Sequence, residues 1–121
     1  VPNPIINRKP KEPTDLWERA YLLLQPLILP TMALLPEPEF TTRQFIMYLR
    51  ATQPGEEAYT LAVSGWKGNL TLGRQTVHGQ IVPQLLREGQ ATWAGYVYDP
   101  EEEDGLSVPA RWLKPGYTID D

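Results

Sequence analysis

The sequence predicts a small α+β domain, with helices first and a two-stranded β-hairpin last. Residues 75–88 place their apolar side chains on one side of a helix and are followed by Gly89. Residues 91–113 then alternate, turn and return as two strands. Upstream, Phe40, Thr41 and Gln44 mark a sharp helix start before another apolar face.

A length of 121 residues fits one domain. We divide it into an extended arm (1–13), a folded unit (14–114) and a short tail (115–121). The arm holds four prolines and the basic residues Arg8, Lys9 and Lys11, a composition that forms neither helix nor central strand. Asp15 supplies an acceptor for orphan amides, and Leu16, Ala20, Leu23 and Leu24 share a face, so a first helix is expected over 15–25. Pro26 and Pro30 interrupt the chain beyond it, leaving a short second piece of helix near 31–35. Thr41 fits an N-cap, Gln44 its reciprocal partner, and Phe40 a staple onto Phe45. That helix is expected to close at Pro54-Gly55. Residues 56–64 suit a short helix or, over 59–63, a strand; Gly65, Gly68, Asn69 and Gly73 suggest a loop up to residue 74.

The 75–88 helix is the best-patterned element. At about 100° per residue, Val77, Ile81, Val82, Leu85 and Leu86 fall within one half-turn, while Thr76, Gly79, Gln80, Pro83, Gln84 and Arg87 fall in the other. Pro83 should bend it, and Gly89 suits a left-handed cap. In the hairpin, Trp93, Gly95 and Val97 alternate with Thr92, Ala94, Tyr96 and Tyr98. Pro109 puts the second strand at an edge or on a bulge.

Composition narrows the chemistry. With no cysteine there is no disulfide, thiolate zinc site or cysteine nucleophile, which fits a reducing, cytoplasmic compartment. The apolar run 22–35 is too short and too broken for a bilayer span of about 20 residues, and it is not placed like the core of a signal peptide. The net charge of −4 opposes a general nucleic-acid coat. That acidity is local, however. Over residues 40–98 five basic side chains (Arg43, Arg50, Lys67, Arg74, Arg87) outnumber three acidic ones (Glu56, Glu57, Glu88), a balance of +2. Residues 99–104 alone contribute −5.

The exposed side of the 75–88 helix is the candidate site. Gln80 and Gln84 can pair with adenine edges, Arg87 with guanine or phosphate, and Thr76 and Arg74 with phosphate near the helix start. The same residue types also populate inert helix surfaces. His78 falls inside the apolar arc, where a hydrogen-bonded core histidine is expected rather than a general base. The acidic tip with Glu101, Glu102 and Glu103 is a solvated turn or a contact for a basic protein, and should not lie against phosphate. It lacks the ligand spacing of a calcium loop. Tyr96 and Tyr98, if they share an exposed face, make a protein-binding or base-stacking patch. The basic arm is a solvated tail or a minor-groove contact.

In the order of these elements and in the Phe40–Thr41–Gln44 capping, the chain resembles the winged helix-turn-helix superfamily over about two thirds of its length. The resemblance implies a first helix at 15–25, a short strand at Glu39–Thr41, a second helix at 42–51, a recognition helix at 75–88 and a wing at 91–113. It implies duplex DNA as partner, read by the last helix with the hairpin against the backbone. It admits a protein-interaction module as alternative, through the acidic wing and hairpin aromatics. The long 52–74 connection, Pro83 and the acidic wing depart from that pattern. We expect no enzyme activity and no cofactor or metal, and a homodimer by economy, because one such helix reads few base pairs.

Overall fold

Local signals decide where most helices begin. In a computed structural model of the chain, which describes residues 15–96 and 110–118, Asp15 caps α1 (Leu16–Leu24) by accepting the Glu18 N–H at 2.6 Å. The expectations for the arm, the acidic tip and Tyr98 lie outside those residues. A 3₁₀ turn (Gln25–Leu27) leads straight into α2 (Ile28–Leu34), so the second piece of helix starts three residues earlier than expected. Both prolines fall in first turns, where a missing N–H costs no intrahelical bond.

β1 (Glu39–Thr41) hands the chain to α3 (Thr42–Arg50) through a full capping box. Thr41 Oγ1 accepts from Gln44 N at 3.0 Å, and Gln44 Oε1 accepts from Thr41 N at 2.9 Å. The Phe40 and Phe45 rings lie 6.3 Å apart, which is the expected staple.

Pro54-Gly55 does not simply end α3; it opens α4 (Gln53–Val63), with Thr52 as cap and Pro54 in the first turn. Thr52 Oγ1 accepts from Gly55 N and donates to Leu49 O, which folds the two helices back on each other. The strand alternative for 59–63 is thereby excluded. The expected loop before residue 74 is also largely helix. Asn69 caps α5 (Leu70–Thr76), a wide π turn (Val77–Ile81) follows, and α6 (Val82–Glu88) completes one continuous helix over 70–88. Two glycines that read as breakers are sites of close approach. A Cβ on Gly55 would stand 1.8 Å from Leu49 O, and one on Gly73 2.1 Å from Val63 O.

The π turn answers the problem posed by Pro83. It carries the Val82 N–H to Val77 O, and Pro83, which has no N–H to donate, follows directly as the second residue of α6, where the ladder has already shifted its register. The helix ends in a Schellman arrangement, with Ala91 N bonded to Leu86 O and Gln90 N to Arg87 O. The left-handed residue is Gln90 (φ 74°), not Gly89. Gly89 is instead wedged beside Met32 and Ile28, 3.2 and 3.3 Å from where a Cβ would be.

The sheet has three antiparallel strands in the order β1–β3–β2, with β2 at Thr92–Tyr96 and β3 at Ala110–Leu113. The expected hairpin is present, but its second strand is central rather than at the edge, because Glu39–Thr41 pairs along its other side. The irregularity falls on β2. Trp93 pairs with Trp112 and Tyr96 with Ala110, so β2 carries one extra residue. Gly95 supplies the required positive φ of 99°, and Arg111 Nη2 donates to Ala94 O at 2.9 Å across the bulge.

The core joins all these layers. Leu24, Phe45, Leu49, Val77, Ile81, Val82, Leu86 and Trp112 are completely buried. The result is an α+β fold of winged-helix-like build, with helices packed against a small antiparallel sheet. Replacing Gly55 or Gly73 with alanine should cost about 2–3 kcal/mol by forcing helix backbones apart. Thermal unfolding checks this, and a variant as stable as the parent would mean that the helices do not approach so closely.

Candidate functional site

The inserted residue of a π turn has a positional consequence. It rotates everything upstream by about one residue, roughly 100°. Thr76, expected on the outer face, therefore turns inward; it is buried and its hydroxyl donates to Leu72 O at 2.8 Å. It is unavailable to phosphate. The same rotation swings Gln75 onto the face occupied by Gly79, Pro83 and Arg87.

These four residues, with Gln80, form one wall of a cleft of about 370 Å³ between the 70–88 helix and the base of the hairpin. Trp93 and Tyr96 form the opposite wall. Thr42, His78, Ala110 and Trp112 lie deeper and are buried. The bulge puts Trp93 and Tyr96 on one face, contrary to the simple alternation read from the sequence. Their rings meet edge to face at 5.2 Å and both remain exposed, at 43% and 63%. Trp93 is thus a surface residue, and the bulge brings Tyr96 round to its face. Ala94-Gly95 was the available signal, since a glycine inside a strand marks a bulge.

The expected reading face is partly engaged by its own fold. Gln80 Oε1 accepts from Trp17 Nε1 at 3.2 Å, and Gln84 Nε2 donates to Glu88 Oε2 at 3.1 Å. The Tyr21 hydroxyl donates to the other oxygen of Glu88, and Gln25 donates to Tyr21. One flank of the helix is thus clasped to α1, where Trp17 and Tyr21 stack at 5.6 Å. Gln84 lies on that flank, outside the cleft. Arg74 is exposed at the end of α5. Arg87 is exposed with its guanidinium 5.3 Å from the Trp112 ring, and no carboxylate pairs with it among the described residues.

Other cations are less available. Arg50 is paired with Glu56 at 2.8 Å and stacked on Tyr59 at 4.5 Å. Lys67 is exposed and Arg43 half-buried. His78 is buried at 6% exposure, its Nε2 2.7 Å from the Tyr59 hydroxyl, the environment of a hydrogen-bonded core histidine. Among the described residues, no group of three or more His, Asp or Glu side chains could hold a metal ion. No described helix is long and apolar enough to cross a membrane.

Fold and cleft together define a winged-helix-like domain with a mixed polar and aromatic surface beside its last helix. Comparison of the chain with family models, curated proteins and solved structures finds no match in any of the three.

The clasp on α1 joins two titratable groups, Tyr21 and Glu88. The Tyr21 bond holds the Glu88 carboxyl below its ordinary 4.5, with a smaller contribution from Gln84. The same bond holds the Tyr21 hydroxyl above its ordinary 10.0. A depressed carboxyl stabilises above its ordinary value and loses that contribution as pH falls; a raised hydroxyl stabilises below its own and loses it as pH rises. The clasp should therefore hold between the two ranges and weaken as pH falls below the ordinary carboxyl value. Stability measured against pH should have a shallower acid limb in Glu88→Gln, and an unchanged limb would remove this pair from the acid response.

Proposed function

We propose that this domain binds duplex DNA, presenting the outer side of the 70–88 helix to a groove. The observation that carries this reading is that Arg74, Gln75, Gln80 and Arg87 are all exposed on one helix whose other side is committed to the core. Guanidinium and amide groups suit phosphate and base edges respectively. Arg87 leads, because it is exposed and opposed by no carboxylate among the described residues. Thr76 drops out because it is buried. Gln84 takes a lesser part, because Glu88 already accepts from its amide.

A protein-binding module is the second reading. The exposed Trp93–Tyr96 pair favours it, since exposed aromatic side chains are enriched at protein interfaces. A cytoplasmic, non-enzymatic regulator acting on DNA remains the primary one.

Binding as a dimer is part of the proposal. Residues 20–36 carry no charged side chain, yet Leu22, Leu29 and Leu34 are exposed there. Exposed leucines on α1 and α2 give two copies apolar surface to bury against each other. Sedimentation equilibrium should show self-association that Leu29→Glu abolishes; a parent protein that stays monomeric would remove the dimer.

Arg87→Ala should weaken binding to random-sequence duplex by about tenfold, a cost of about 1.4 kcal/mol. It should also lower the log–log salt slope by about one. Fluorescence anisotropy at several salt concentrations reads both, and unchanged affinity and slope would take Arg87 out of the interface.

A further inference from the structure

The duplex reading uses Gln75, Gln80 and Arg87 but gives no role to the aromatic side chains across the cleft from them. Its two walls differ in chemistry. One is built from the Gln75 and Gln80 amides, the Arg87 guanidinium and the low surface of Gly79 and Pro83. The other consists of the Trp93 and Tyr96 rings.

Several features mark the cleft as built into the fold. The bulge at Ala94-Gly95 interrupts the strand ladder and brings two large aromatics to one exposed face. Arg111 holds that bulge from the central strand through Ala94 O, and its second nitrogen lies 3.7 Å from Glu39. The π turn rotates Gln75 into the opposite wall. Two local irregularities on separate elements therefore converge on one space. The Gln80 carbonyl is already held by Trp17, which leaves its amide nitrogen as the donor.

A volume of about 370 Å³ lies at the small end of pockets that hold organic ligands, roughly 300–1,000 Å³. It suits one planar ring system. Aromatic walls stack such a ring, amides read its hydrogen-bonding edge, and a guanidinium takes an adjoining phosphate.

We propose that this cleft receives a single unstacked nucleobase, so that the preferred ligand is DNA with an unpaired nucleotide. The base lies against Trp93 and Tyr96, its edge meets Gln75 and Gln80, and its phosphate meets Arg87. This rests on the DNA-binding reading and narrows it from any duplex to one with a base already out of the stack. Such a base costs least to extrude, because its pairing is already lost.

Three labelled duplexes of one sequence test the proposal by anisotropy: fully paired, with one unpaired adenine, and with an abasic residue in place of that adenine. The adenine duplex should bind about tenfold more tightly than the paired one, and the abasic duplex should lose that gain. The readout is the ratio of affinities on one protein sample. Trp93→Leu should bring that ratio close to one. Tyr96→Leu, at the more exposed position, should do the same if the first variant does not fold. Equal binding to all three duplexes overturns the nucleobase pocket and leaves duplex binding standing. Tight binding of the abasic duplex also overturns it, since a flexible backbone would then be what is recognised. Failure to bind any of the three overturns both readings.

Discussion

Trp112 sits at the middle of the central strand with none of its surface exposed, and its indole N–H donates to Thr42 Oγ1 at 2.9 Å. A buried indole needs a partner for that N–H, and here the partner is the first residue of α3. The bond ties the sheet to the helical layer. Phe40 and Trp93 flank Trp112 in register on either side, and Arg87 lies over its ring. Sheet, α3 and the 70–88 helix are thus fixed around one side chain, and so is the cleft they enclose. Replacing the indole with a smaller ring would leave Thr42 without this donor and remove the floor beneath Arg87.

The path of the 70–88 helix is the second constraint. A regular helix would carry Thr76 outward and Gln75 toward the core. The π turn before Pro83 reverses that assignment, and it also lets the proline enter in a first turn. A feature that reads as a blemish in the sequence therefore coincides with the device that places a polar side chain in the cleft. The clasp from Trp17 and Tyr21 then holds the other flank of the helix. The surface left for a ligand is narrower than the full polar arc of the sequence, and it leans toward the hairpin.

Much of the fold could be read from residues whose signals are local. Asp15, Thr41 with Gln44, and Phe40 with Phe45 each act within a few residues, and each does what its type predicts. The apolar arc from Val77 to Leu86 also survives the π turn, because the arc is half a turn wide and Val77 and Ile81, at the two ends of the π turn, both remain buried. The features that sequence reasoning missed are set by contacts between distant backbone segments. Gly55 and Gly73 look like helix breakers, but they are required where Leu49 and Val63 carbonyls press against helices. Asn69 looks like a turn residue and works as a cap. The bulge that unites Trp93 with Tyr96 depends on Arg111 from the neighbouring strand, which no alternation pattern encodes. Of the candidate site, Gln80 and Arg87 were legible as exposed polar residues, whereas Gln75 and Tyr96 reach the cleft only through these irregularities.

Whether the helix–hairpin surface meets DNA at all decides every functional role proposed for it. The most direct measurement is a salt titration of the unaltered protein against labelled random-sequence duplex. If Arg74, Arg87 and their neighbours contact phosphates, affinity should fall linearly on log–log axes, by about 0.9 in slope per contact. No binding at low salt would contradict DNA recognition and leave the exposed aromatics as a protein-binding surface.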